Sequence, residues 1–153
     1  MNEFKPLSSM TTPRFADVAT FFRLPIEKDL SKLDYCISGI PWDGGTTNRP
    51  GARHGPREIR SASSLVRLYH PVSLKSPYDN FKVADIGDCP VNPADLQDSL
   101  SKIEKFYKNI SKSSTIPISI GGDHLVTLPV LRGLQKNKPV GLFQFDSHSD
   151  TWD

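Results

Sequence analysis

From Asp34 onward, short apolar runs alternate with longer amphipathic stretches. Tyr35-Cys36-Ile37-Ser38-Gly39-Ile40 reads as a strand, and Pro41 ends it by fixing φ and withdrawing a backbone donor. A polar, glycine-rich segment from Trp42 to Gly55 follows. Gly55-Pro56 then opens a helix, with proline in the first turn and Glu58 close behind to meet the positive end of the helix dipole. Ile59, Ala62, Val66 and Tyr69 share one face of that helix. Lys82 to Ile86 is a second strand. Asn92-Pro93-Ala94-Asp95 predicts a helix start with Asn92 as the cap, and Leu96, Leu100, Ile103, Phe106 or Tyr107, and Ile110 form its core-facing stripe. Ile116 to Ile120 is a third strand, cut by Gly121-Gly122. A helix from Thr127 to Leu134 and a fourth strand from Val140 to Phe145 complete the pattern. This alternation predicts a parallel sheet with helices on its faces, and functional groups in such sheets gather at the carboxyl ends of the strands.

Composition narrows the function. The 153 residues are 37% hydrophobic and 24% charged, which fits one globular domain whose core needs no disulfide or structural metal. Basic and acidic residues number 19 and 17, and no basic stripe stands out, so neither nucleic acid nor an anionic membrane surface is expected as a partner. No run approaches the roughly 18 consecutive apolar residues of a membrane span. Glu3 and Pro6 interrupt the place where a signal peptide would begin. Cys36 and Cys89 each end or follow a short apolar run and belong to no metal-ligand spacing. They read as reduced thiols in or near the core of a cytoplasmic protein.

Two polar clusters lie at predicted strand ends. Asp146-Ser147-His148-Ser149-Asp150 follows the fourth strand directly. If the strand conformation continues, Asp146, His148 and Asp150 converge on one face and the serines point away. Two carboxylates and an imidazole suit a divalent cation that takes oxygen and nitrogen ligands, manganese first, with zinc, iron or cobalt as alternatives. Gly121-Gly122-Asp123-His124 ends the third strand, and its glycines permit a sharp turn and close approach. Each cluster alone also describes a solvated turn or a loop with a helix cap. Together, at the ends of successive strands, they favour a metal site. His54 and His70 have no such company and read as loop or surface residues.

A family resemblance becomes specific here. Gly121-Gly122-Asp123-His124, followed by Val126-Thr127-Leu128-Pro129, resembles the first metal motif of the ureohydrolases (arginases, agmatinases and their relatives), and Phe145-Asp146-Ser147-His148-Ser149-Asp150 resembles their second. The segment from Gly39-Ile40-Pro41-Trp42-Asp43 to Arg53-His54-Gly55-Pro56 is similar to a signature loop of the agmatinase branch, and Ala19 to Pro25 is similar to its lead-in. The resemblance implies a three-layer α/β/α fold with a mainly parallel sheet, incomplete in this chain. Residues 1–33 would be an amino-terminal lead-in, and 34–153 the first half of the ureohydrolase domain. His124, Asp146, His148 and Asp150 would hold two manganese ions, with Asp150 also catalytic. Leu125 departs from the serine usual after the first histidine, and Ser147 from the usual alanine.

The implied reaction is hydrolysis of a small guanidino compound to an amine and urea. Agmatine is the first expected substrate, and guanidinobutyrate or guanidinopropionate the alternative. A non-catalytic, truncated metal-binding homologue is the rival of a different class. The family's later Asp-x-Asp pair does not occur in this sequence, so the chain by itself is expected to be inactive. The expected partners are the substrate and further copies of the chain.

Overall fold

Three strands pair in parallel, β1 (Tyr35–Gly39) lying between β2 (Val83–Asp88) and β3 (Ile116–Ile120), in a computed structural model that describes residues 3–135 and 139–148. From Cys36 to Gly39, β1 is buried throughout, as its nearly unbroken apolar run requires of a central parallel strand. Its residues divide by parity. Cys36 and the following Ile40 join Ile103, Tyr107, Ile110, Val126 and Val130, whereas Ile37 joins Phe21, Leu24 and Val83. Alternate strand residues face opposite ways, so these two clusters are the two faces of the sheet.

The chain connections account for the layers. From β1 the path runs through α1 (Gly55–Ser63) to β2, and from β2 it returns through α2 (Leu96–Ile110), past β1, to β3. Right-handed crossovers in opposite directions place their helices on opposite faces. α2 packs against α3 (Thr127–Leu134) over the first cluster, and α1 packs beside the lead-in turn Phe21–Arg23 over the second. A Cβ at Gly133 would lie 2.7 Å from Tyr107 Cβ, so glycine there lets α3 close on α2. The lead-in also covers the outer edge of β2, where Asp85 N donates to Pro25 O at 3.0 Å and Glu27 N to Asp85 O at 3.3 Å. Cys36 and Cys89 are buried free thiols, each pushed up to about 12 by burial.

Three expectations need correction. α1 ends at Ser63, and Ile59, Ala62, Val66 and Tyr69 are exposed. Its inward residues are Pro56, Arg60 and Ser63, because Arg60 neutralises the buried Asp85 of β2: Nε to Oδ2 2.7 Å and Nη2 to Oδ1 3.0 Å. The cap of α2 is Asp95, whose carboxylate accepts from Asp98 N at 2.9 Å, while Asn92 shapes the preceding turn through Ala94 N at 3.1 Å. Val140 to Phe145 forms no strand. A segment apolar on both faces needs a strand on each side, and among the described residues only the edge of β3 is open. The segment instead leaves Phe143 and Phe145 exposed, stacked edge to face with centroids 5.2 Å apart.

Candidate metal centre

The path out of β1 leads to α1 on one face and the path out of β3 leads to α3 on the other, which opens a crevice between the carboxyl ends of these neighbours. Ligands of parallel α/β sheets bind at such a reversal. Both segments that leave the crevice meet there. Ile40 N donates to Ile120 O at 2.8 Å, and Asp123 N donates to Trp42 O at 2.9 Å. A Cβ on Gly122 would overlap the Trp42 carbonyl, so glycine is required for this approach. Asp123 Oδ2 accepts from Gly45 N at 2.6 Å. Leu125 packs beside Gly45, where an added Cβ would lie 3.0 Å from Leu125 Cβ.

The far end of the loop is fixed by Asp43, 1% exposed, which accepts from Gly51 N at 2.7 Å and Arg53 N at 3.1 Å and pairs with the Arg53 guanidinium. That guanidinium holds the Asp43 carboxyl far below the usual carboxylate range; burial opposes the effect and the two N–H donors add to it. In the sequence, Asp43 and Asp123 stood inside the quoted motifs without a role of their own. Each works by accepting from backbone N–H groups many residues away, and the only sequence signal is the glycine at the donor position.

His124 opens a short 3-10 turn, His124–Val126, directly after the Gly121-Gly122 turn, and its ring is half exposed. The structure brings it to Asp146, with Nδ1 3.5 Å from Asp146 Oδ2. Gln144, not singled out in the sequence, donates from Nε2 to the same carboxylate oxygen at 3.0 Å and lies 3.4 Å from His124 Nδ1. His148 N donates to Asp146 Oδ1 at 3.3 Å. The chain bends at Ser147 and His148, so the serine does not point away as strand alternation predicted; Ser147 Oγ lies 3.1 Å from His148 Nδ1. Asp150 lies outside the described residues. The Asp146 carboxyl sits below its ordinary value, through the His148 N–H first, against slight burial, with His124 and Gln144 adding.

A divalent cation with oxygen and nitrogen preference fits this donor set, since an imidazole nitrogen and a carboxylate oxygen face each other and no thiolate is near. Two donors are too few to hold an ion firmly, and no group of three His, Cys, Asp or Glu among the described residues is arranged to hold one. A cavity of about 900 Å³ lies elsewhere, between the lead-in and α1, lined by Arg14, Phe15, Val18 and Arg60. None of the expected ligands lines it. No described helix is long and apolar enough to cross a membrane.

An imidazole and a carboxylate thus meet beside the reversal point of a parallel α/β sheet. The chain belongs to the arginase family, whose model matches residues 33–153, as the ordered motifs led us to expect. It is 55% identical over 149 residues to a guanidinopropionase of Pseudomonas aeruginosa, covering 97% of this chain and 47% of that protein. It is 42% identical over 149 residues to a mitochondrial agmatinase of Gallus gallus, covering 97% of this chain and 44% of the relative. The solved proclavaminate amidino hydrolase of Streptomyces clavuligerus superposes with a TM-score of 0.75 at 34% identity, over 80% of this chain and 40% of that one. The chain spans about half the length of the relatives it matches.

Proposed function

We propose that this chain supplies one half of a manganese-dependent hydrolase that cleaves a small guanidino compound to an amine and urea. The observation that carries the reading is the pairing of His124 and Asp146, 3.5 Å apart at the reversal point of an arginase-family sheet. His124, Asp146, His148 and Asp150 are the ligands contributed here, and the family's later aspartates would complete the set from residues beyond this sequence. When bound, the ions would supply Lewis acidity and lower the pKa of a water toward neutrality. The chain's own residues do the rest. Asp146, held anionic by the His148 N–H and Gln144, presents a charged oxygen toward His124 at neutral pH. Asp150, besides binding metal, would accept a hydrogen bond from the attacking water.

A short guanidino acid of the guanidinopropionate kind is the first substrate, because identity is higher with the guanidinopropionase than with the agmatinase, 55% against 42%. Agmatine is the second, on the likeness of the Gly39 to Pro56 loop to the agmatinase branch. The test is urea release by the complete enzyme from guanidinopropionate, guanidinobutyrate, agmatine and arginine, with and without manganese. The highest kcat/KM is expected with guanidinopropionate. A best substrate of agmatine replaces the first reading by the second, and no urea from any of the four contradicts both.

A further inference from the structure

We propose that Asp123 is a positioning residue for substrate: by holding Gly45 it fixes the exposed loop tip Thr46–Pro50 beside His124 as one wall of the substrate site. This rests on the hydrolase reading above.

Asp123 occupies the cap position of the His124–Val126 turn with extended backbone, φ −82 and ψ 172, yet its side chain makes no capping bond. Aspartate at a cap ordinarily accepts from the first turn of its own helix. Here Oδ2 is turned outward to Gly45 N at 2.6 Å, and Oδ1 is buried without a hydrogen-bond partner among the described residues. A buried acceptor left unpaired costs stability and calls for an explanation. The explanation is the loop. Gly45, at one end of the tip, is tethered by Asp123, and Gly51, at the other, by Asp43 at 2.7 Å. Thr46 is further fixed by its hydroxyl donating to Asp43 O at 3.0 Å. Thr47, Asn48 and Arg49 are exposed, on a tip held at both ends. The residue that holds one end is the immediate neighbour of His124, so the tip's place is set relative to the metal-ligating turn itself.

A residue of this kind acts on substrate placement more than on chemistry, which gives it a signature. In the complete, manganese-loaded enzyme, Asp123→Ala should raise KM about tenfold with kcat and manganese content retained, the pattern of lost uniform binding. Asp123→Asn keeps an acceptor oxygen for Gly45 and should recover most of the loss. Gly45→Ala attacks the same bond from the other side, since its Cβ would lie 3.0 Å from Asp123 Oδ2, and it should also raise KM. Independently of activity, trypsin should cut after Arg53 faster in Asp123→Ala than in wild type or Asp123→Asn. Unchanged KM in Asp123→Ala and Gly45→Ala overturns the proposal, as does loss of kcat and manganese together at constant KM. If Asp123→Ala fails to fold, Gly45→Ala and Asp123→Asn decide. A wild type that releases no urea overturns the hydrolase reading instead, and the trypsin comparison then decides whether Asp123 holds the loop.

Discussion

Replacing Asp85 by alanine removes the hub that ties the lead-in, α1 and β2 together. The carboxylate is 2% exposed and takes Arg60 Nε at 2.7 Å, Arg60 Nη2 at 3.0 Å, Phe21 N at 3.0 Å and Gly87 N at 2.7 Å. The Arg60 side chain is only 12% exposed, with Cζ 4.1 Å from the Phe21 ring centroid, so it cannot turn to water without breaking that packing. Removing one partner of a buried pair costs about 3–5 kcal/mol when the other charge is left uncompensated; Asp88 still meets Arg60 from the half-exposed side, so the cost here falls toward the lower end, about 3 kcal/mol. The orphaned Phe21 N–H lies within the same effect and is not added to it. The comparison is Asp88→Ala. Asp88 bonds the same guanidinium, Nη1 to Oδ1 at 2.6 Å, but its side chain is 43% exposed, so water replaces the lost bond and the cost is about 0–1 kcal/mol. Urea titrations of wild type and both variants at neutral pH, followed by circular dichroism, measure the two values. Equal costs for the two aspartates, both below about 1 kcal/mol, would refute the account of Arg60.

Acid should unfold the protein through the same groups. Burial pushes the Asp85 carboxyl up, and Arg60 with the Gly87 and Phe21 N–H donors more than reverses this; Asp43 is held low by Arg53. Both carboxyls therefore contribute stability that is present above the unfolded value of about 3.9 and lost as pH falls through the folded values. Unfolding free energy measured against pH should decline from about pH 5 downward, and more shallowly in Asp85→Ala; an identical slope in that variant contradicts the assignment. The 153-residue chain expressed alone should associate, since among the described residues β3 has an open edge with Ile116 and Ile118 exposed, and Phe143 and Phe145 are 85% and 91% exposed. Sedimentation showing a stable monomer that releases urea would contradict this.

What the sequence made legible follows the physics of burial. β1 and β3 were readable from their apolar runs, and the α2 stripe from its helical spacing: Ile103, Tyr107 and Ile110 are buried on one face. At its start, however, Ser99 is buried instead of Leu96, because its hydroxyl donates to Asn92 O at 2.7 Å. Spacing misread α1 for a related reason. The face turned inward carries Arg60, and a buried charge paired across 25 positions leaves no trace in hydrophobic periodicity. The run from Val140 to Phe145 carries the composition of a central strand without the neighbours such a strand needs. At the site, residue types brought out His124, Asp146 and His148 as candidates, although the strand expected before Asp146 does not form. Gln144 was not singled out, and Asp43 and Asp123 stood inside quoted motifs without a role of their own, because an amide or carboxylate serving distant backbone or side-chain groups has no fixed spacing.

The central claim is the proposal that His124, Asp146, His148 and Asp150 hold manganese. Its most direct test is manganese per subunit in the complete enzyme after equilibrium dialysis, for wild type and for His124→Ala, Asp146→Ala and His148→Ala. Wild type should retain manganese, and each variant should lose affinity by at least the roughly tenfold to hundredfold seen when even a ligand's supporting partner is removed. Unchanged manganese content in Asp146→Ala and His148→Ala would contradict the account.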